Sequence, residues 1–365
     1  MHRFLVGRLL FSTKVWVCLM LWLTPQQLIH AAELVDLFTV DVPVADRSAS
    51  GRARAMRKGL EEVLIRASGI NASATNEYLH SRLSKAQSFI QQYAYLKSED
   101  KQNKMPWVLR INFEGESIHR LLSDAGVAIW GERRPVVMLW IAQQEGYQRQ
   151  IITRDNDFAE QIEKVARRRA IPVQFPLLDL QDSAEVEITD VWGRFSSPII
   201  KASRRYNATV ILFGRVYQKI GSRRDDGWLA DWQLILEGKR SGWKDSAKTT
   251  EEIYQHLFTK LGQHLCDKYC VTATQSADNE ILVKVENLNT FLQAASAEKY
   301  LESLLPVRDV NLLQLKDNKA LFLLRLVSRE KSVLEAISLD SALSPLPSQP
   351  PVGQEKRTYN YRWTP

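Results

Sequence analysis

The sequence predicts an α+β / α/β protein of several domains, with a mixed-sheet α/β middle domain and a smaller α+β domain on either side. Three observations predict it. From about Arg134 onward, "PVVMLWIA", "DFAEQIEKVARRRA", "IPVQFPLLDL" and "SSPIIKASRRYNATVILFGRVYQ" alternate apolar runs of strand length with stretches of helical period, the order of a sheet covered by helices. Ahead of it, "ELVDLFTVDVPV" and "RSASGRARAMRKGLEEVLIRASG" read as strand then amphipathic helix, and behind it "EILVKVENL", "TFLQAASAEKYLESLL", "VRDVNLLQLKDNKALFLLRLV" and "EKSVLEAISL" read as strand, helix, hairpin and helix. The 365 residues, 45% hydrophobic and 25% charged, are enough for two or three cores.

The division is a leader over 1–32, an N-terminal α+β domain over 33–133, the middle domain over 134–272, a small βαββα domain over 273–340 and a Pro-rich tail over 341–365. In the leader, Arg3, Arg8 and Lys14 precede the uncharged apolar run Val15 to Leu23, and Ala31 and Ala32 offer small residues for cleavage. That is the pattern of a Sec signal peptide. Nine strongly apolar residues fall short of the roughly 20 a helix needs to cross a bilayer, so a cleaved leader is expected rather than an anchor. Cys18 lies inside the apolar run, so no lipobox is formed. The expected location is periplasmic, with peripheral membrane association left open.

Removing the leader takes away three cations and no acid, lowering the net charge from +7 to +4. So small an excess over so long a chain does not point to nucleic acid. In the N-terminal helix, Ala49, Ala53, Met56, Leu60, Val63, Leu64 and Ala67 gather on one face at 100° per residue, with Asp46, Ser48 or Ser50 to cap the start and Gly69 the end. Arg52, Arg54, Arg57, Lys58 and Arg66 fall around the rest, and Arg57 and Lys58 stand four residues before Glu61 and Glu62. A solvated, partly paired face is expected, and a polyanion-binding arm over Ser48–Ser68 is the alternative. "NEYLHSRLSKAQSFIQQYAYL" has helical spacing throughout, "WVLRINFEG" alternates as a strand and "SIHRLLSDAGVAIWG" begins as a short helix.

In the middle domain, "GWLADWQLILEG" is the antiparallel partner of the strand Thr209 to Val216, with "SRRDDG" as the turn between them. "TTEEIYQHLFTKLGQHLCDKYC" closes the domain as a helix. "KDNK" is the hairpin turn of the last domain, whose content is that of a ferredoxin-like half. Tyr359, Tyr361 and Trp363 alternate in "YNYRW", which reads either as an added edge strand or as a disordered end.

No phosphate-cradling loop, nucleophile elbow, zinc-protease helix or dinucleotide fingerprint is present. No catalytic, cofactor-binding or metal-ligating residue is assigned, and no cofactor is expected. Cys266 and Cys270 suit a disulfide at a frayed helix end, with buried thiols or a metal shared with His264 as alternatives. Asp225 and Asp226 are either paired carboxylates or turn residues. Trp228 and Trp232 share parity on one strand, and with Tyr359, Tyr361 and Trp363 they are the candidate partner surface, a core role being the alternative.

The ordered set "VDVPVADRSASGRARAMRKGLEEVLIRASG", "FIQQYAYL" and "AGVAIWGERRPVVMLWIA" after a signal peptide resembles the proteobacterial domain-of-unknown-function family numbered 2066. That resemblance implies no catalytic residues. "IIKASRRYNATVILFGRVYQ" is similar to the helix and strand of the envelope α/β domains of TolB, CsgG and the lipoprotein activators of penicillin-binding proteins, where the phrase sits in a docking domain; the lipobox cysteine of the lipoprotein members is missing here. The expectation is an exported, non-enzymatic envelope protein acting through protein contacts. A cell-wall-component binder or hydrolase, and a polyanion binder, are the alternatives.

Overall fold

The computed structural model describes residues 33–98, 105–218, 227–272, 280–347 and 357–364. The leader, the Asp225–Asp226 turn and much of the Pro-rich tail lie outside the described residues. The fold is multi-domain α+β / α/β, its sheets antiparallel or mixed. Among the described residues no helix is long and apolar enough to cross a membrane.

The first sheet belongs to β1 (Glu33–Leu34), β2 (Thr39–Val44), α1 (Ala49–Ser68), α2 (Ala72–Thr75), α3 (Glu77–Arg82), a 3-10 segment (Leu83–Phe89), β3 (Ile90–Lys97), β4 (Trp107–Phe113) and α4 (Gly115–Asp124). Strands run antiparallel in the order β2-β4-β3. β1 lies apart, paired with β5 (Arg133–Arg134). Ser48 caps α1 by accepting from the Gly51 N–H, and Gly69 ends it at φ 70°, a conformation glycine adopts without penalty. α1 buries Met56, Leu60, Val63, Leu64 and Ala67 on Val40, Val42, Leu109, Ile111 and Phe113. Ala49 and Ala53, expected on that face, are exposed, while Ala55 and Gly59 are buried. Gly59 lets the helix approach: a Cβ there would sit 3.0 Å from Val40 and 3.1 Å from Ile111.

The second predicted helix is corrected. Only Glu77–Arg82 is α-helical, and Ile90–Lys97 is a strand paired with β4. Ser81, Ser84 and Ser88 each turn a hydroxyl back to the carbonyl three residues before, and Lys85 leaves helical φ/ψ. Local hydroxyl bonds weaken the helix; pairing with β4 then decides the remainder.

The middle sheet is built from β6 (Val137–Glu145), β7 (Gln148–Ile151), α5 (Asp157–Arg168), β8 (Val173–Gln174), α6 (Leu180–Glu185), α7 (Ile188–Gly193), α8 (Ser196–Ser203), β9 (Val210–Tyr217), β10 (Trp228–Leu236), β11 (Lys239–Ala247) and α9 (Thr250–Tyr269). Its order is β11-β10-β9-β6-β7, with β8 beside the start of β6. β6 is parallel to β8 and β9, and β10 and β11 return antiparallel. Ile162 of α5 and Leu257, Phe258 and Leu261 of α9 cover one face. Val191 of α7 and Ile199 and Ala202 of α8 cover the other. Burial on both faces explains why β6 reads as a continuous apolar run.

The third sheet comprises β12 (Glu280–Glu286), α10 (Phe291–Glu302), β13 (Val307–Lys316), β14 (Lys319–Leu326), α11 (Glu330–Ile337), β15 (Leu343–Pro345) and β16 (Thr358–Trp363), in the order β13-β14-β12-β16-β15. Asp317 and Asn318 turn the hairpin with φ 54° and 59°, as a two-residue turn with left-handed central residues requires. The "YNYRW" strand is present but is no edge: β16 runs parallel to β12 and antiparallel to β15, between them.

Between the first and second sheets, Arg134 is 0% exposed. Its guanidinium donates to the carbonyls of Gly131, Arg169, Ala170, Arg66 and Trp130 and lies 3.8 Å over the Trp130 ring. Burial, and then the nearby Arg66 charge, pull its pKa down to about 9. Five carbonyl acceptors satisfy the buried cation in place of a carboxylate. Gly262 of α9 meets Gly69 there, and a Cβ on Gly262 would lie 2.6 Å from the Gly69 carbonyl oxygen.

Candidate functional site

The register places Tyr93 and Tyr95 of β3 in line with Ile111 and Leu109 of β4 and with Val40 and Val42 of β2. α1 covers the valines and the β4 residues but stops short of β3. Tyr93 is 46% exposed and Leu96 37%. Arginines from the start of α1 reach over this open margin: the Arg47 guanidinium carbon is 3.6 Å from the Trp107 ring centroid and 5.5 Å from that of Tyr95, and Arg52 is 5.8 Å from Tyr93. Tyr93 and Tyr95 meet edge to face, 6.4 Å apart. Stacking of this kind holds a guanidinium in place while leaving its N–H groups free for an acceptor.

The expected pairing of Arg57 and Lys58 with Glu61 and Glu62 does not form. Glu62 turns instead to Arg66 at 2.6 Å, and Arg66 also donates to the Thr39 carbonyl at 2.7 Å. Arg66 is therefore a buried strut, and among the described residues Arg47, Arg52, Arg57 and Lys58 make no ion pair. The Ser48 side chain, and then the Ser48 N–H that Asp46 accepts at 2.8 Å, hold the Asp46 pKa below the usual carboxylate value.

A second feature of the same domain is an open cavity of about 240 Å³ lined by Tyr78, Arg82, Phe89, Ser117, Arg120, Leu121 and Asp124. Arg82 lies 4.7 Å over Tyr78 and donates to its hydroxyl at 3.3 Å. Arg82, Arg120 and Asp124 make no ion pair among the described residues. Two guanidiniums beside two aromatic rings suit a small ligand bearing a carboxylate or phosphate.

In the middle domain, the carboxyl ends of parallel strands, where open α/β sheets commonly hold ligands, are filled by the chain itself. Trp192 of α7 sits there beneath Arg149 at 3.9 Å, with Arg215 at 5.5 Å and Tyr217 at 5.7 Å. Arg215 is held by buried Asp231 at 2.8 Å. The loop before α6 is braced by Asp182, which is buried and accepts from the Leu178 N–H at 3.0 Å, from Arg205 at 3.1 Å and from the Tyr206 hydroxyl. Burial, and then that bond, push the Tyr206 pKa up to about 12. These groups hold one another.

The predicted partner surface is corrected. Trp232 is 0% exposed in the middle core, and Trp228 packs on the same core. Tyr361 and Trp363 are each 6% exposed in the last core, and Tyr359 packs beside them and bonds Glu330. Alternation did put the three on one face, but that face meets α10 and α11 rather than solvent. Cys266 and Cys270 form a disulfide at the C-terminal end of α9, its sulfurs 3.2 and 3.7 Å from the Ser68 carbonyl oxygen. The bridge takes both sulfurs from any metal, and His264 stacks on Trp243 instead. Among the described residues no three His, Cys, Asp or Glu side chains gather as a metal site.

Sequence reading missed the cavity and the stacked arginines. Arg47, Tyr93, Tyr95 and Trp107 are separated along the chain, and nothing in their spacing joins them before β3 is known to be a strand. Residues 31–131, which contain both features, match the family model described as Domain of unknown function (DUF8605). No curated protein and no solved structure matches the chain.

Proposed function

We propose that this is an exported, non-enzymatic envelope protein that acts by contact with another protein. The observation that carries the reading is an apolar surface at the hairpin end of the third sheet. Leu312, Leu313 and Leu315 of edge strand β13 are 38%, 53% and 42% exposed, and Phe291 and Leu292 at the start of α10 are 77% and 74% exposed. Asn318 ties the two parts together, bonding Asn289 through its side chain and accepting from the Leu288 N–H. Large apolar side chains exposed on two elements tied together in this way are a mark of a contact surface. Export is supported by the basic and apolar leader pattern, and an envelope role by the segment order that resembles family 2066.

Crosslinking in intact envelopes, followed by pull-down of the protein, tests the reading. A reproducible protein partner, lost when Leu313 and Phe291 are both changed to Asp, is expected; repeated recovery of the protein alone would overturn it. The second reading, binding of a small envelope component, is favoured by the cavity between Arg82 and Arg120.

A further inference from the structure

We infer that the edge of β3, which no strand pairs among the described residues, takes up an extended acidic segment of a partner protein as an added strand, with Arg47 and Arg52 pairing its carboxylates. The inference rests on the protein-contact reading and adds to it a second point of contact, in the N-terminal sheet rather than at the apolar surface of the third. It starts from a comparison of sheet edges. An unpaired edge is a template for another strand, and proteins ordinarily guard it with charge, proline, bulges or shortness.

The other edges of the three main sheets carry such guards. β2 holds Asp41 and Pro43. β11 is rich in Lys, Arg and Asp, and β7 has four residues with Arg149 among them. β15 has three residues ending in Pro345, and β13 is interrupted by two bulges. β3 has eight residues, "IQQYAYLK", with no acid and no proline, its one irregularity at Ile90/Gln92 and its one charge at Lys97. At about 3.4 Å per residue the edge is about 27 Å long, and its central residues from Gln92 to Leu96 are unguarded.

The side chains around it specify the occupant. A strand added beside β3 would satisfy the outward backbone N–H and C=O groups, which a nucleic acid or a sugar cannot do in register. Its side chains on the helix-bearing face would meet Tyr93 and Tyr95, and beside them Arg47, stacked on Trp107, and Arg52, near Tyr93. Those two guanidiniums are oriented by the rings and lack a carboxylate partner among the described residues. Alternate Glu or Asp residues on an extended segment fit that face, and alternate apolar residues fit Leu96 and Val108 on the other, which share a register position.

The test uses the mature chain and the peptide acetyl-(Glu-Val)4-amide, with acetyl-(Lys-Val)4-amide and oligo(dT) as controls. Titration at low salt is expected to show binding of the acidic peptide alone, weakened about tenfold by added salt near 0.2 M. Alternate β3 amides should exchange about tenfold more slowly when the peptide is bound. Arg47→Glu with Arg52→Glu should abolish binding and transfer it to the basic peptide, with thermal unfolding unchanged. Binding with no protection of β3 amides, or preference for oligo(dT), would overturn the inference, as would equal binding by the charge-reversed protein. Crosslinking the charge-reversed protein separates the two readings: partners retained at wild-type yield sink the β3 edge alone, whereas no partner for either protein sinks the contact function.

Discussion

In β6 of the middle sheet eight of nine residues are buried, whereas β3 of the N-terminal sheet has none. β6 is paired along both sides and β3, among the described residues, along one, so the difference is one of place in the sheet and of cover. Helices lie on both faces of the middle sheet, and its interior strand has neighbours on both sides. The N-terminal sheet carries helices on one face, and α1 spans two of its three strands. What this teaches is that aromatic side chains have opposite uses in the two places. Trp232 fills a core, its ring against Gly214, where a Cβ would lie 2.7 Å from the ring and 2.2 Å from the Asp231 carbonyl oxygen. Tyr93 and Tyr95 stand at an open margin and orient arginines.

Truncation separates the two most sharply. Trp232→Ala should cost about 4 kcal/mol of stability, through lost burial and a cavity, while Tyr93→Ala should cost less than about 1 kcal/mol. Urea unfolding of both variants checks this; equal losses would break the comparison. Arg134→Ala comes next, at about 3 kcal/mol, because several buried carbonyls lose their donor together. Arg134→Lys should recover only part of the loss, since one ammonium has three donors and cannot reach five acceptors. If fluorescence of Trp107 and of the middle-domain tryptophans then reports separate transitions, Arg134 is what couples the two sheets.

The smallest effect sharpens the contrast between arginines held by carboxylates and those held by rings. The hydrogen bond from Arg205, followed by the Asp182 backbone N–H, lowers the Asp179 pKa from an ordinary 3.8 to about 2. A depressed carboxyl pKa means stabilisation present above the ordinary value and lost as pH falls from near 4 through about 2. Arg205→Gln should return the Asp179 carboxyl resonance to titration near its ordinary value, whereas Arg47→Gln should leave it unmoved.

Much of the fold was legible because burial writes itself into the sequence. The continuous run of β6, the capped α1, the Asp317–Asn318 turn and the strand–helix–hairpin–helix order of the third sheet follow from periodicity and turn chemistry. The α3–β3 region was misread because Leu79, Leu83, Ala86, Phe89, Ile90 and Tyr93 satisfy a helical period, and a strand with no buried residue leaves no alternation to oppose it. The candidate site was illegible for the same reason. Its residues are recruited by β3 pairing with β4, which a local pattern does not encode.

By itself the sequence determined the fold class, the Gly69 end of α1, most of the apolar face of each long helix and the pairing geometry that allows Cys266 and Cys270 to bridge. Each is set by contacts within a few residues or by the partition of side chains between water and core. Only the tertiary structure decided that the alternating aromatics of β16 face inward, that Arg134 is spent on carbonyls between two sheets, and that Arg47 stacks on Trp107 and Arg52 stands near Tyr93 beside an edge that no described strand pairs. Those outcomes depend on which strand lies next to which, and so on contacts between residues far apart in the chain.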